Sequence, residues 1–298
     1  MERSTDILDP QAIAQLEPLE LVARTIARGF LRGHHRSAAK GSSDVFAEHR
    51  FYAPGDDPRF LDWRAWARTD RYFVRQYEDE TNLQAVLVVD ASRSMAFDAA
   101  GVSKLRYASC LAAAIGYLLG GQRDAVGLAI AGDDVRHWMA PKASPGHLSG
   151  LFSTLDRIEG AGETALGTSL LRVAELVRRR SIVFIFSDLI DDAGAILRGL
   201  AALGDRNCEA VVFHIMDPAE LELPFRHWTV FRDPERPNVR VRLDARRLGA
   251  VYRENVARHR ESLRRGCEAA RIDYVWTPTD ESFVETLARY LLLRPRKP

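Results

Sequence analysis

Cysteine is scarce in this chain, with three in 298 residues, Cys110, Cys208 and Cys267. Each stands in an apolar or helical context and no two lie at metal-ligand spacing. That excludes a disulfide framework and a zinc module, and predicts reduced thiols in or near the core. Lysine is also rare, confined to Lys40, Lys104, Lys142 and Lys297, so the basic charge is carried almost wholly by arginine. Net charge of one sign is missing too: the formal balance is +1, which supplies no global field for nucleic acid or acidic lipid. The eight histidines are scattered, with no His-Glu-x-x-His pattern. Long apolar runs are absent; "SCLAAAIGYLLGG" is too short and too amphipathic to span a bilayer. The N-terminal "MERSTDILDPQ" has no apolar signal-peptide region. The expectation is a soluble, cytoplasmic protein without internal repeats or low-complexity segments.

What is present is enough apolar residue for a full core, 46% of the chain. Residues 10–32 carry Ile13, Leu16, Leu19, Val22, Ile26 and Phe30 at helical spacing. A polar arm, "RGHHRSAAKGSSD", leads into "FAEHRFYAPGDDPRFLDWRAWARTDRYFVRQYEDE", in which "RYFVRQYE" alternates as a strand. Arg50, Arg59, Arg64 and Arg68 in that block can pair with Asp56, Asp57 and Asp62, either as a structural brace or as a docking surface. From residue 83 the rhythm becomes regular. "LQAVLVVD" and "SIVFIFSD" read as strands buried on both faces, and strands alternate with helices such as "SKLRYASCLAAAIGYLLGG". "DAVGLAIAG" and "VRHWMA" read as a strand pair across "GDD". This predicts an α/β fold over residues 83–217 and 272–293, a mostly parallel sheet with helices on both faces. Residues 218–245 interrupt it with a β-hairpin, "HWTVFRDPERPNVRVRLD". The expected organisation is an N-terminal region, 1–82, and an α/β domain, 83–298, with the N-terminal block and the 227–244 hairpin packed together at the sheet edge. Arg178, Arg179 and Arg180 read as a cationic helix C-terminus, and Asp191 and Asp192 as caps of the next helix.

In an open parallel sheet, ligands bind beyond the carboxyl ends of the strands. Polar groups collect there. Asp90, Ser92 and Ser94 follow the first buried strand in "VLVVDASRSM", and Asp188 ends the second in "VFIFSDLIDD". Thr164 lies in "EGAGETALG", with Thr168 one helical turn further on as the alternative. In an extended loop residues 90, 92 and 94 project to one side, so their oxygens converge. Two carboxylates and three hydroxyls, without His or Cys, suit Mg²⁺ or Mn²⁺ and not zinc. So small a set leaves part of the ion's shell to water or to a partner. "GETALGTS" approaches a phosphate-binding loop, but Thr168 replaces the required lysine and an amphipathic helix precedes it where a strand is needed.

"DASRSM", "GETALG" and "FSDLIDD", in that order, resemble the metal-ion-dependent adhesion site of von Willebrand factor type A domains. With the upstream block from "EHRFYAPGDD" to "RQYEDE", the chain over roughly residues 30 to 290 is similar to the bacterial domain-of-unknown-function family 58. The resemblance implies a von Willebrand A-like (Rossmann-like) domain beside a smaller β-containing element. It also implies association with MoxR-type AAA+ ATPases in protein assembly or remodelling. The functional expectation is a cytosolic, metal-dependent protein-binding module, with Asp90, Ser92, Ser94, Thr164 and Asp188 holding Mg²⁺ or Mn²⁺ and an acidic residue of a partner completing the site. The alternative is a hydrolase in which the same ion activates water; it needs a general base, and Glu163 is the one acid placed nearby. Neither nucleic acid nor membrane insertion is expected.

Overall fold

The computed structural model describes residues 10–16, 18–37, 50–51, 73–74, 83–99, 101–222, 228–232 and 240–293. Its elements in chain order begin with helices α1 (Pro10–Ala14) and α2 (Leu19–Ser37), then strands β1 (Arg50–Phe51), β2 (Phe73–Val74) and β3 (Gln84–Asp90). A 3₁₀ turn (Arg93–Ala96) precedes α3 (Lys104–Gly121), β4 (Ala125–Ala131), β5 (Val135–Lys142), α4 (Pro145–Asp156) and α5 (Leu166–Leu176). There follow β6 (Ile182–Ser187), α6 (Ala193–Asp205), β7 (Glu209–Met216) and α7 (Pro218–Glu222). The chain continues through β8 (Trp228–Arg232), β9 (Arg240–Asp244), α8 (Ala245–Ala269), β10 (Asp273–Pro278) and α9 (Phe283–Leu293).

Six strands form one sheet in the order β10-β7-β6-β3-β4-β5. Every pairing is parallel except that of the edge strand β5 with β4. β3 is apolar on both sides because both sides are covered. Leu87 and Val89 face a core built with α1 to α4 and α9, while Val86 and Val88 face one built with α5, α6 and α8. The chain leaves β3 towards β4 through α3 on the first face, and leaves β6 towards β7 through α6 on the other. The crevice between the ends of β3 and β6 is therefore the point where the winding reverses, the place such sheets offer to ligands.

Most sequence expectations for residues 83–217 and 272–293 are met, including the antiparallel β4–β5 pair. Three details differ. The N-terminal helix is two helices broken ahead of Pro18, and Leu16 at the break is exposed while Ile13, Leu19, Val22, Ile26 and Phe30 are buried. α5 ends at Leu176, so Arg178, Arg179 and Arg180 lie in the turn beyond it, Arg180 at φ 63°. The Val177 N–H closes the helix on the Val173 carbonyl at 2.9 Å, ahead of the arginines. Asp192 does cap α6, accepting from the Ala195 N–H at 2.7 Å, whereas Asp191 accepts from the Asp192 N–H at 2.7 Å.

The chain divides into two compact units, residues 1–33 with 83–298, and residues 34–82. The buried apolar residues of α1 and α2, Ile13 to Phe30, belong to the first core. Within that second unit, β2 finds its mate in β1. The hairpin strands β8 and β9 pair with each other. The Arg/Asp/aromatic block and its packing against the hairpin fall on residues 52–72 and 75–82, outside the described residues. No helix among the described residues is long and apolar enough to cross a membrane. The three cysteines are free and buried.

α5 and α6 meet through glycine. A Cβ on Gly199 would lie 2.7 Å from Leu170 Cβ and 2.8 Å from the Gly167 carbonyl oxygen. Gly204 lies in the last turn of the same helix with nothing within 4 Å of its would-be Cβ. Gly199→Ala should therefore cost about 2 kcal/mol by overpacking, even after the ~1 kcal/mol helix preference for alanine. Gly204→Ala should be neutral or slightly stabilising. Urea denaturation of the two variants checks this, and equal effects would contradict the close approach.

Candidate functional site at the strand ends

Asp90, the last residue of β3, is 1% exposed, and Asp188, directly after β6, is 0% exposed. Asp90 accepts from the Ser92 N–H at 2.9 Å through Oδ1 and from the Ser187 hydroxyl at 2.6 Å through Oδ2. Ser187 is there by register. Val89 stands opposite Phe186, so the next residues along, Asp90 and Ser187, become neighbours. The chain after Asp90 is not the extended loop expected, because residues 93–96 tighten into a 3₁₀ turn. The tightening still brings the hydroxyls together, with Ser92 Oγ 3.0 Å from Ser94 Oγ. Ser92 heads that turn without capping it by its side chain; its hydroxyl lies against Ser94 and also bonds Asp90.

The Thr164 loop is stitched to the same turn. The Ala161 N–H donates to the Ala91 carbonyl at 2.9 Å, and the Arg93 N–H to the Gly162 carbonyl at 3.3 Å. Arg136 braces the junction, donating from Nη1 to the Ala91 carbonyl at 3.0 Å. Its guanidinium lies where Cβ atoms on Gly132 and Gly162 would be, and Gly162 also adopts φ +67°, so these two glycines are required for this passage. Thr164 is half-buried, two residues beyond Gly162, and Thr168 is exposed on α5.

After Asp188 the backbone is strained. Leu189 is buried at φ 54°, a left-handed conformation that costs a branched residue about 1 kcal/mol. It is over-determined by three bonds. The Leu189 N–H donates to Ser187 Oγ at 2.9 Å, the Ile190 N–H to Asp188 Oδ1 at 3.2 Å, and His259 on α8 holds the Leu189 carbonyl at 2.9 Å.

The charges around these carboxylates were the part the sequence did not disclose. Lys104, the first residue of α3, is wholly buried and donates to Asp188 Oδ2 at 2.8 Å and to Glu220 Oε1 at 2.8 Å. Burial and the nearby Asp188 charge push Asp90 up to about 6. Burial would raise Asp188 as well, but the Lys104 ammonium beside it holds its carboxyl below the usual range, helped by the Ile190 N–H and the Ser94 hydroxyl. On the far side of Asp188 lies a cavity of about 310 Å³ walled by Ile190, His214, Tyr252, Val256 and Trp276. His214 is driven down to about 3 by burial, and its Nδ1 lies 2.6 Å from the Tyr274 hydroxyl.

Octahedral Mg²⁺, with bonds near 2.1 Å, sets adjacent ligands about 3.0 Å apart, and Ser92 Oγ and Ser94 Oγ have that separation. Two buried carboxylates within each other's field, one of them raised to about 6, mark a place short of positive charge despite Lys104. The residues fit such an ion. Among the described residues no group of three His, Cys, Asp or Glu forms a metal cluster, so a cation here depends on the hydroxyls.

A mostly parallel six-stranded sheet covered on both faces, with an Asp-x-Ser-x-Ser turn at its reversal point, defines a von Willebrand A-like α/β protein. The chain belongs to the family described as "Protein of unknown function DUF58", whose pattern matches residues 48–262. The uncharacterized proteins Rv1480 of Mycobacterium tuberculosis and Mb1516 of Mycobacterium bovis are each 32% identical over 303 residues, spanning 98% of this chain and 92% of theirs. Among solved structures, BatB from Bacteroides thetaiotaomicron matches 70% of this chain and 96% of its own at 17% identity and a TM-score of 0.47. The SpRpn10 VWA domain matches 70% of this chain and 94% of its own at 11% identity and a TM-score of 0.40.

Proposed function

We propose that this protein is a metal-dependent protein-binding module of the cytoplasm. Asp90, Ser92, Ser94, Thr164 and Asp188 hold Mg²⁺ or Mn²⁺, and a protein partner supplies a carboxylate to the same face. The partner is a MoxR-type AAA+ ATPase, or a client that such an ATPase remodels. The observation that carries this reading is the meeting of Asp90, Ser92, Ser94 and Asp188 at the reversal point, with more buried carboxylate than positive charge to match it.

When bound, the ion supplies residual positive charge and an exchangeable coordination position, which an incoming Asp or Glu can take. The chain's own residues do the rest. Asp90 and Asp188 anchor, the paired serine hydroxyls complete one side, and the loop bearing Thr164 rings the contact. The cavity beyond Asp188, rimmed by the exposed Ile190, gives a partner's segment an apolar seat next to its carboxylate. Binding is preferred to hydrolysis because His214, the imidazole on the wall shared with Asp188, is held near 3 and engaged by Tyr274, which makes it a poor general base.

The test is pull-down of a purified MoxR-type ATPase from the same genome, in Mg²⁺ and in EDTA. The complex should form with the wild type in Mg²⁺ and be lost in EDTA. Ser94→Ala combined with Thr164→Ala should weaken it while the circular dichroism spectrum stays native. A complex that persists equally in EDTA would move the interface elsewhere.

A further inference from the structure

Lys104 is out of place by two ordinary rules. It is the first residue of α3, where the helix dipole presents positive charge and disfavours a cation. Its side chain is also wholly buried, which an ammonium tolerates only when paired. The pairing it finds is with the carboxylate that closes β6: Nζ is 2.8 Å from Asp188 Oδ2. The same Nζ is 2.8 Å from Glu220 Oε1 on α7, whose side chain is 17% exposed. Ser103 caps α3 by accepting from the Arg106 N–H at 3.1 Å, so the helix start is satisfied without the lysine. Asp188 thus has one oxygen on an ammonium and the other on the Ile190 N–H, with the Ser94 hydroxyl also bonding the carboxylate.

We propose that Lys104 is a resident cation that competes at Asp188 with the divalent ion, so that the site holds its metal loosely and leaves metal charge for an incoming carboxylate to meet. This rests on the metal-binding reading given above. A carboxylate oxygen already bonded to an ammonium is a weaker donor to a second cation, and the two cations repel across a few ångströms of low-dielectric interior. Glu220 draws the ammonium partly away from Asp188 and is reached from solvent, so the sharing is set by the α7 turn as well as by the strand ends. A fully neutralised ion would have little to offer a partner's acid. Keeping one cation in the chain solves that without weakening the hydroxyl donors.

The alternative role, a plain brace between α3, β6 and α7, predicts the opposite sign for metal binding. Loss of a brace would loosen the Asp188 turn and weaken the ion's hold. The experiment is Mn²⁺ titration followed by electron paramagnetic resonance on the wild type, Lys104→Met, Lys104→Met/Glu220→Gln and Lys104→Arg. The double variant removes one charge of each sign, so its net charge is that of the wild type and Glu220 is not left facing an empty partner. Far-UV circular dichroism reports whether each variant folds, and the double variant carries the test where the single one does not. Both methionine variants should bind Mn²⁺ about tenfold more tightly than the wild type, or more. Lys104→Arg, which keeps the cation, should bind no tighter than the wild type. Binding by the methionine variants with none by the wild type would also support competition. Equal or weaker binding by the folded variants, with the wild type binding, would overturn this proposal and leave the metal site standing. No binding by any of the proteins would overturn both.

Discussion

In EDTA at about pH 8, Asp90→Asn should be more stable than the wild type by about 2 kcal/mol, and in saturating Mg²⁺ the order should reverse. Asp90 is 1% exposed and its folded-state pKa is raised from 3.8 to about 6 by burial and by Asp188. A raised acid pKa favours the folded state below the unfolded value, and that contribution is lost as pH rises through the folded value. Above about pH 6 the ionised group therefore weighs against folding by roughly 3 kcal/mol. Asparagine removes the charge and keeps an acceptor for the Ser92 N–H. The Ser187 hydroxyl loses a charged acceptor, which returns about 1 kcal/mol of the gain. The stability gap between variant and wild type should open between about pH 4 and pH 6 and stay flat above. An ion at a hundredfold over its dissociation constant stabilises the wild type by about 2.7 kcal/mol, and the variant should gain nothing. Urea denaturation across pH in EDTA reads both halves. A variant less stable than the wild type in EDTA would make Asp90 a structural brace.

Lys104→Met should cost about 3–5 kcal/mol in EDTA, because it strands a buried carboxylate. Both Lys104 and Asp188 have side chains at 0% exposure, so water is not at hand to screen the loss. Methionine matches the length and volume of the lysine stem, which confines the effect to charge. Adding Glu220→Gln should recover part of the loss by removing the second acid left without its partner, and Mg²⁺ should recover more by answering Asp188. Thermal melts of the single and double variants with and without Mg²⁺ separate these contributions. A loss under ~1 kcal/mol in EDTA would mean that Asp188 is readily neutralised by a proton or reached by water.

The sheet was legible because β3 and β6 carry unbroken apolar runs, residues 85–89 and 182–186, a pattern that only a strand covered on both faces needs. Their ends were legible for the same reason: Asp90 and Asp188 stand out against runs with no other charge. The hydroxyls at 92 and 94 converge as expected, but through a 3₁₀ turn, since spacing by two cannot tell an extended loop from a tight one that gathers the same oxygens. Ser187 was hidden because its bond to Asp90 depends on the β3–β6 register, which is set by topology and leaves no local mark. Lys104 was hidden because Asp188 and Glu220 lie 84 and 116 residues away in sequence. A buried lysine reads, from sequence, like any polar residue at a helix start. The extent of α5 was overread because arginines after an amphipathic helix look like its last turn, while the left-handed Arg180 that marks the turn has no signature in a non-glycine residue.

The most direct test of the central claim is a Mn²⁺ binding isotherm for the purified protein beside Asp90→Ala, with Mg²⁺ as competitor. The predicted result is one ion per chain, displaced by Mg²⁺, and its loss in the variant. An isotherm that Asp90→Ala leaves unchanged, or a wild type that takes up no ion, would contradict it.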